Sequence, residues 1–169
     1  MMRAIVRVIE AISEGTGKVV RWACVALVLV LVFEVIMRYA FTAPTIWAHQ
    51  TSVMLGSTFS GLGWAYVHRH HGHVRIDVFY ARLSPRGKAI VDVLCTFFLL
   101  FPLLLVLIFL ATKFMWTAWV EHEVLIESYW YPPSGPIRTI TVLALCLFLL
   151  QGVAQFIRDL YFVIRNKPL

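Results

Sequence analysis

The length of the uninterrupted apolar runs constrains this chain more than any other feature. Between residues 89 and 111 the one charged side chain is Asp92, near one end, and the one helix breaker is Pro102. Crossing about 30 Å of hydrocarbon takes about 20 helical residues. Three further stretches meet that requirement. Residues 19–37 carry Arg21 near the start and Glu34 near the end, residues 51–67 are polar at the outset but uncharged, and residues 139–157 carry no charge. In lipid only helices and closed barrels satisfy the backbone, and barrel strands alternate apolar with polar residues. The runs do not alternate. They predict an all-α membrane protein with four transmembrane helices over about 19–37, 51–67, 89–111 and 139–157. At 169 residues the chain reads as a single domain, 1–169.

Composition agrees: 60% of residues are hydrophobic and 14% charged, against about 25% charged in a soluble domain. The net charge of +6 lies between the apolar runs, where anionic membrane lipids account for it and no basic nucleic-acid face forms. Twelve of the 15 Lys+Arg residues fall in segments 1–21, 68–88 and 158–169, and three (Arg38, Lys113, Arg138) fall between the other span ends. The positive-inside rule then predicts a multi-pass protein with both termini and the 68–88 loop in the cytoplasm. Trp22 and Trp64 fall at the inner interface; Trp47, Trp116, Trp119 and Trp130 fall at or beyond the outer one. Residues 41–43, with bulky Phe41, make a poor cleavage site, so the first span is expected to stay in the mature chain.

Two segments predict short in-plane amphipathic helices. Residues 3–14 set Ile5, Val8, Ile9 and Ile12 at helical spacing among Arg3, Arg7, Glu10 and Glu14. Residues 74–83 set Ile76, Phe79 and Leu83 beside Arg75, Asp77 and Arg82, and Ser84-Pro85 then starts the third span.

Candidate chemistry is sparse. Cys24, Cys95 and Cys146 lie singly within apolar runs, as buried hydrophobes do. Glu34 is the one acid well inside the first span; it reads as the partner of Arg38 four residues on, and alternatively as a coupling acid for protons. Asp92 is placed to snorkel or to pair with Lys88, and Lys113 belongs beside Trp116 at the outer interface. The cluster His68, His70, His71 and His73 has the density of a metal site. Arg69 and Arg75 repel a cation there, so it reads as a basic cytoplasmic turn. Ser52, Gly56, Ser60 and Gly63 form a small-residue face that serves either packing within the chain or contact with a partner. Loop 112–138 carries Trp130 between two tyrosines, then Pro132, Pro133 and Pro136. It reads equally as a docking surface and as a loop resting on headgroups. No catalytic set or cofactor motif is readable, so the chain reads as a subunit and not as an enzyme.

Several of these residues resemble a known family. Arg38-Tyr39-Ala40-Phe41, with Pro44 and Trp47 following, is similar to the segment after the first span in the small membrane subunit (DctQ type) of tripartite ATP-independent periplasmic (TRAP) transporters. Gly63 followed by His73 and Asp77 resembles that family's Gly…His-x-x-x-Asp signature. His49-Gln50 departs from it, since many relatives carry a carboxylate there. The resemblance implies a three-part, sodium-driven importer of organic acids in a bacterial inner membrane. Its partners would be a large permease subunit (M type), which holds substrate and Na+, and a periplasmic substrate-binding protein (P type). No cofactor is expected in this chain, which would brace the large subunit as part of the static scaffold for elevator-type transport. The competing expectation is a self-sufficient four-helix proton-coupled exporter using Glu34; a redox anchor would need haem-ligating histidines within the spans.

Overall fold

The computed structural model describes residues 2–70, 80, 83–127 and 129–165, with backbone alone for 2–5. Among these residues the chain is helical apart from short connections, in the order α1 (Met2–Tyr39), α2 (Ala48–Arg69), α3 (Pro85–Cys95), α4 (Phe101–Val120) and α5 (Gly135–Arg165). Three continuous helical stretches are long and apolar enough to cross a membrane: Val6–Tyr39, Pro85–Val120 and Gly135–Arg165. The α2 helix, at 22 residues, is about 33 Å long and could span by length. Its serines, threonines and Gln50 keep it out of the apolar class.

The first helix is one rod. Its 38 residues extend about 57 Å, well beyond a bilayer core. The separate short helix expected over 3–14 is corrected here, because the chain stays helical through Gly15 and Gly17 into the apolar run. Each glycine costs a helix about 1 kcal/mol, which packing offsets. The face that packs also differs from the apolar stripe in the sequence. Val8 and Ile12 are exposed, whereas Val6, Ile9, Glu10 and Ser13 are buried. Val6 and Ile9 close on Ala154 and Ile157 of α5, and the two polar groups find partners on the same helix. The other expected in-plane segment, 74–83, lies almost wholly outside the described residues.

Ser84 starts α3 as the sequence pattern predicts. Its side chain accepts a hydrogen bond from the Gly87 N–H at 3.2 Å, and Pro85 occupies the first helical position. Residues Thr96–Leu100 then form a single π-helical turn, in which the Phe101 N–H reaches back to the Thr96 carbonyl. Pro102 supplies the cause, since it has no N–H to donate and its ring crowds the carbonyl four residues back. The helix widens there and continues as α4. At the centre lies α5, which packs against every other helix, with Ala144, Ala154 and Gly152 allowing close approach. Apolar side chains such as Leu29, Phe98 and Phe109 face outward, the surface a lipid solvent requires.

Candidate partner-contact and anchoring sites

At the end of α1 the chain reverses tightly. Thr42 adopts φ 52°, and the turn returns Thr45 to Glu34. Glu34 Oε1 accepts from Arg38 Nε (3.2 Å) and Nη2 (2.7 Å), while Oε2 accepts from the Thr45 N–H (3.1 Å) and the Thr45 hydroxyl. Trp47, which precedes α2, stacks on Phe33 with ring centroids 5.7 Å apart. Oε1 is therefore engaged within α1, and Oε2 holds the turn that leads to α2. Hydrogen bonds to a charged group contribute about 1.5–3 kcal/mol. Glu34→Gln is thus expected to lower subunit yield and thermal stability while leaving the pH and ion dependence of transport unchanged in shape. Uptake curves for the assembled variant provide the check.

The small-residue face of α2 is only partly covered: Ser52, Gly56 and Gly63 are half-buried and Ser60 is exposed, while Ala48, Gln50, Gly61 and Ala65 are the buried positions. A Cβ added at Gly56 would meet Leu27 of α1 at 3.9 Å, and one added at Gly61 would meet Ala144 of α5 at 3.3 Å. Ser60 lines the crevices toward both helices. Ser52, Ser57 and Thr58 donate to carbonyls one turn back, so their hydroxyls are satisfied within α2. Gly56 thus borders α1 at ordinary contact distance, Ser60 stays exposed, and at Gly63 nothing lies within 4 Å of an added Cβ.

His73 and Asp77, like His71, lie outside the described residues. His68 meets the Phe148 ring edge-on at 5.3 Å. His70 Nε2 lies 3.3 Å from Glu14, which also pairs with Arg69 at 2.6 Å and Lys18 at 3.6 Å. These contacts tie the end of α2 to α1. Among the described residues no three His, Cys, Asp or Glu side chains converge on a metal site.

On the opposite end, residues 121–127 and 129–134 belong to a pinned hairpin. Val124 bridges to Pro133, the Leu125 N–H donates to the Pro132 carbonyl at 2.9 Å, and the Ser134 N–H donates to the Glu123 carbonyl at 2.9 Å. Arg138 clamps the base, donating to Glu123 at 2.6 Å and to the Phe114 carbonyl at 3.0 Å. Gly135 is required there, since an added Cβ would sit 2.9 Å from the Trp119 ring. The tip presents Ile126, Tyr129, Trp130 and Tyr131 to the surroundings, and Pro133 is exposed beside them.

Three contacts escape a reading by residue type. Glu10 meets Arg158 at 2.5 Å, and the approach is that of an ion pair without hydrogen-bond alignment at Oε1. The Ser13 hydroxyl donates to Gln151 Oε1 at 2.9 Å in the buried α1–α5 contact. The Tyr80 hydroxyl donates to Asp92 at 2.6 Å, and Lys88 sits over the Tyr80 ring at 5.4 Å. The available signal for the first two was Glu10 and Ser13, polar positions three apart on a predicted helix, with Gln151 and Arg158 seven apart on another.

A family model for the DctQ component of tripartite ATP-independent periplasmic transporters matches residues 27–161, from the apolar half of α1 to the last turns of α5. The chain belongs to the DctQ family. No curated protein matches it. As a DctQ protein it is a small membrane subunit of a TRAP transporter, a multi-pass transporter component, and DctQ subunits work with DctM and DctP components. The matched span holds the Glu34 corner, the α2–α5 packing and the outer hairpin. The N-terminal half of α1, with Glu10 and Ser13, precedes it.

Proposed function

We propose that this DctQ chain crosses a bacterial inner membrane four times and braces the large permease subunit of a sodium-driven importer of organic acids. The observation that carries this reading is Glu34. The one acid well inside the first span has both oxygens occupied, Oε1 by Arg38 of the same helix and Oε2 by Thr45 of the turn to α2, an arrangement suited to fixing that turn. That arrangement speaks equally against proton-coupled export through Glu34. Long helices support the bracing role. The α1 rod and the Pro85–Val120 rod outrun the bilayer core, so side contacts with a partner resist tilting of the scaffold. Substrate and Na+ are assigned to the large subunit. The pinned hairpin, with aromatic anchors on a stiff base, suits contact with the periplasmic binding protein, because little ordering is left to be done on docking.

Orientation has its own test. In a background lacking the three native cysteines, Tyr129→Cys at the hairpin tip is expected to react with an impermeant thiol reagent added outside. Gly15→Cys, where nothing lies within 4 Å of an added Cβ, is expected to react only after the membrane is opened. The reverse pattern would invert the topology. Reconstituted by itself, the chain is expected to move no organic acid.

A further inference from the structure

Helices α1 and α2 run antiparallel and touch at two levels, with a slot between them. At one level the Tyr66 ring lies on Gly17, where an added Cβ would come within 2.4 Å; at the other, Gly56 faces Leu27. The slot encloses about 400 Å³, within the range of small-molecule sites. Its walls are apolar, from Val20 on one helix and Phe59, Trp64 and Val67 on the other. Its floor is open because Gly63 carries no side chain and nothing else enters the space. Arg21 is the one charged residue among those lining it. Among the described residues Arg21 has no carboxylate partner, its guanidinium resting 5.9 Å from the Trp22 ring. The neighbouring cation, Lys18, is already paired with Glu14.

We propose that this slot holds one acyl chain of an anionic phospholipid, with the lipid phosphate on Arg21. From Phe59 to Val67 the slot extends about 12 Å along α2, and the two helix contacts bound it. A single hydrocarbon chain fits between them, and the Arg21 charge at the mouth selects an occupant that carries an anionic group. An unpaired guanidinium at the mouth of an apolar slot complements a phosphate above a hydrocarbon tail. Trp22 and Trp64 flank the same level, as interfacial tryptophans do. Placing the lipid in the inner leaflet rests on the proposed topology; its binding does not.

The test uses the complex of this chain with its large subunit, exchanged into nanodiscs of phosphatidylglycerol and phosphatidylethanolamine, then released into mild detergent for native mass spectrometry. The wild-type complex is expected to retain phosphatidylglycerol about fivefold above its share of the bilayer, the effect of one basic residue at the surface. Arg21→Gln is expected to bring retention to the bulk ratio. Gly63→Leu, which fills the slot, is expected to lose one retained lipid of either kind. Arg21 is exposed and has no carboxylate partner among the described residues, so Arg21→Gln is expected to fold and assemble, which co-purification with the large subunit verifies. Wild-type retention at the bulk ratio, or undiminished selectivity in Arg21→Gln, would overturn the proposal. So would lipid held by the isolated chain but displaced on assembly, which would give the slot to the large subunit. None of these readouts measures transport, and cysteine labelling reads the leaflet separately.

Discussion

Replacing Arg158 with alanine is expected to destabilise the chain by about 2 kcal/mol, below the scale for a fully buried pair because the Arg158 side chain is 40% exposed. Glu10 is 7% exposed, and its Oε1 depends on the Arg158 charge. Without that charge the carboxylate is left buried and uncompensated. The penalty belongs to the stranded acid more than to the pair. The double replacement Glu10→Leu with Arg158→Leu is therefore expected to regain most of the loss. Thermal unfolding of the purified subunit measures both. A single mutant within about 0.5 kcal/mol of wild type, the range of an ordinary surface change, would mean that water already reaches Glu10.

The second large effect separates two glycines two residues apart. Gly17→Val drives a branched side chain into the Tyr66 ring, where an added Cβ alone already comes within 2.4 Å. Overpacking of this kind costs about 1–3 kcal/mol. The ring has little room to yield, because its other neighbour is His70, with centroids 4.6 Å apart. Gly15 has nothing within 4 Å of an added Cβ, so Gly15→Ala gains helix propensity, about 1 kcal/mol, without a clash. Opposite shifts in melting temperature are the expected result; equal shifts would place α1 and α2 farther apart than described.

What was legible in the sequence is what local rules determine. All four apolar stretches lie inside helices, Ser84-Pro85 caps α3, and Glu34 meets Arg38 because four residues is one helical turn. Thr45 was not legible as a partner of Glu34, since it arrives only through the left-handed turn at Thr42. The length of α1 was obscured because its N-terminal half buries Glu10 and Ser13. Those polar groups look solvent-facing until Arg158 and Gln151 are seen opposite. Pro102 reads as a break within a span, yet one wide turn absorbs it. The small-residue face is the sharpest case: sequence marks Gly56 and Ser60 as a place of close approach, and the fold puts the tight contact at Gly61, against Ala144 of α5, leaving Ser60 exposed.

Uptake into liposomes with each component left out in turn tests the bracing role most directly. The chain, the large subunit and the periplasmic binding protein together, under an inward sodium gradient, are expected to accumulate an organic acid. The chain alone is expected to accumulate none, and leaving it out is expected to abolish uptake by the other two. Gradient-driven uptake by this chain alone would contradict the account.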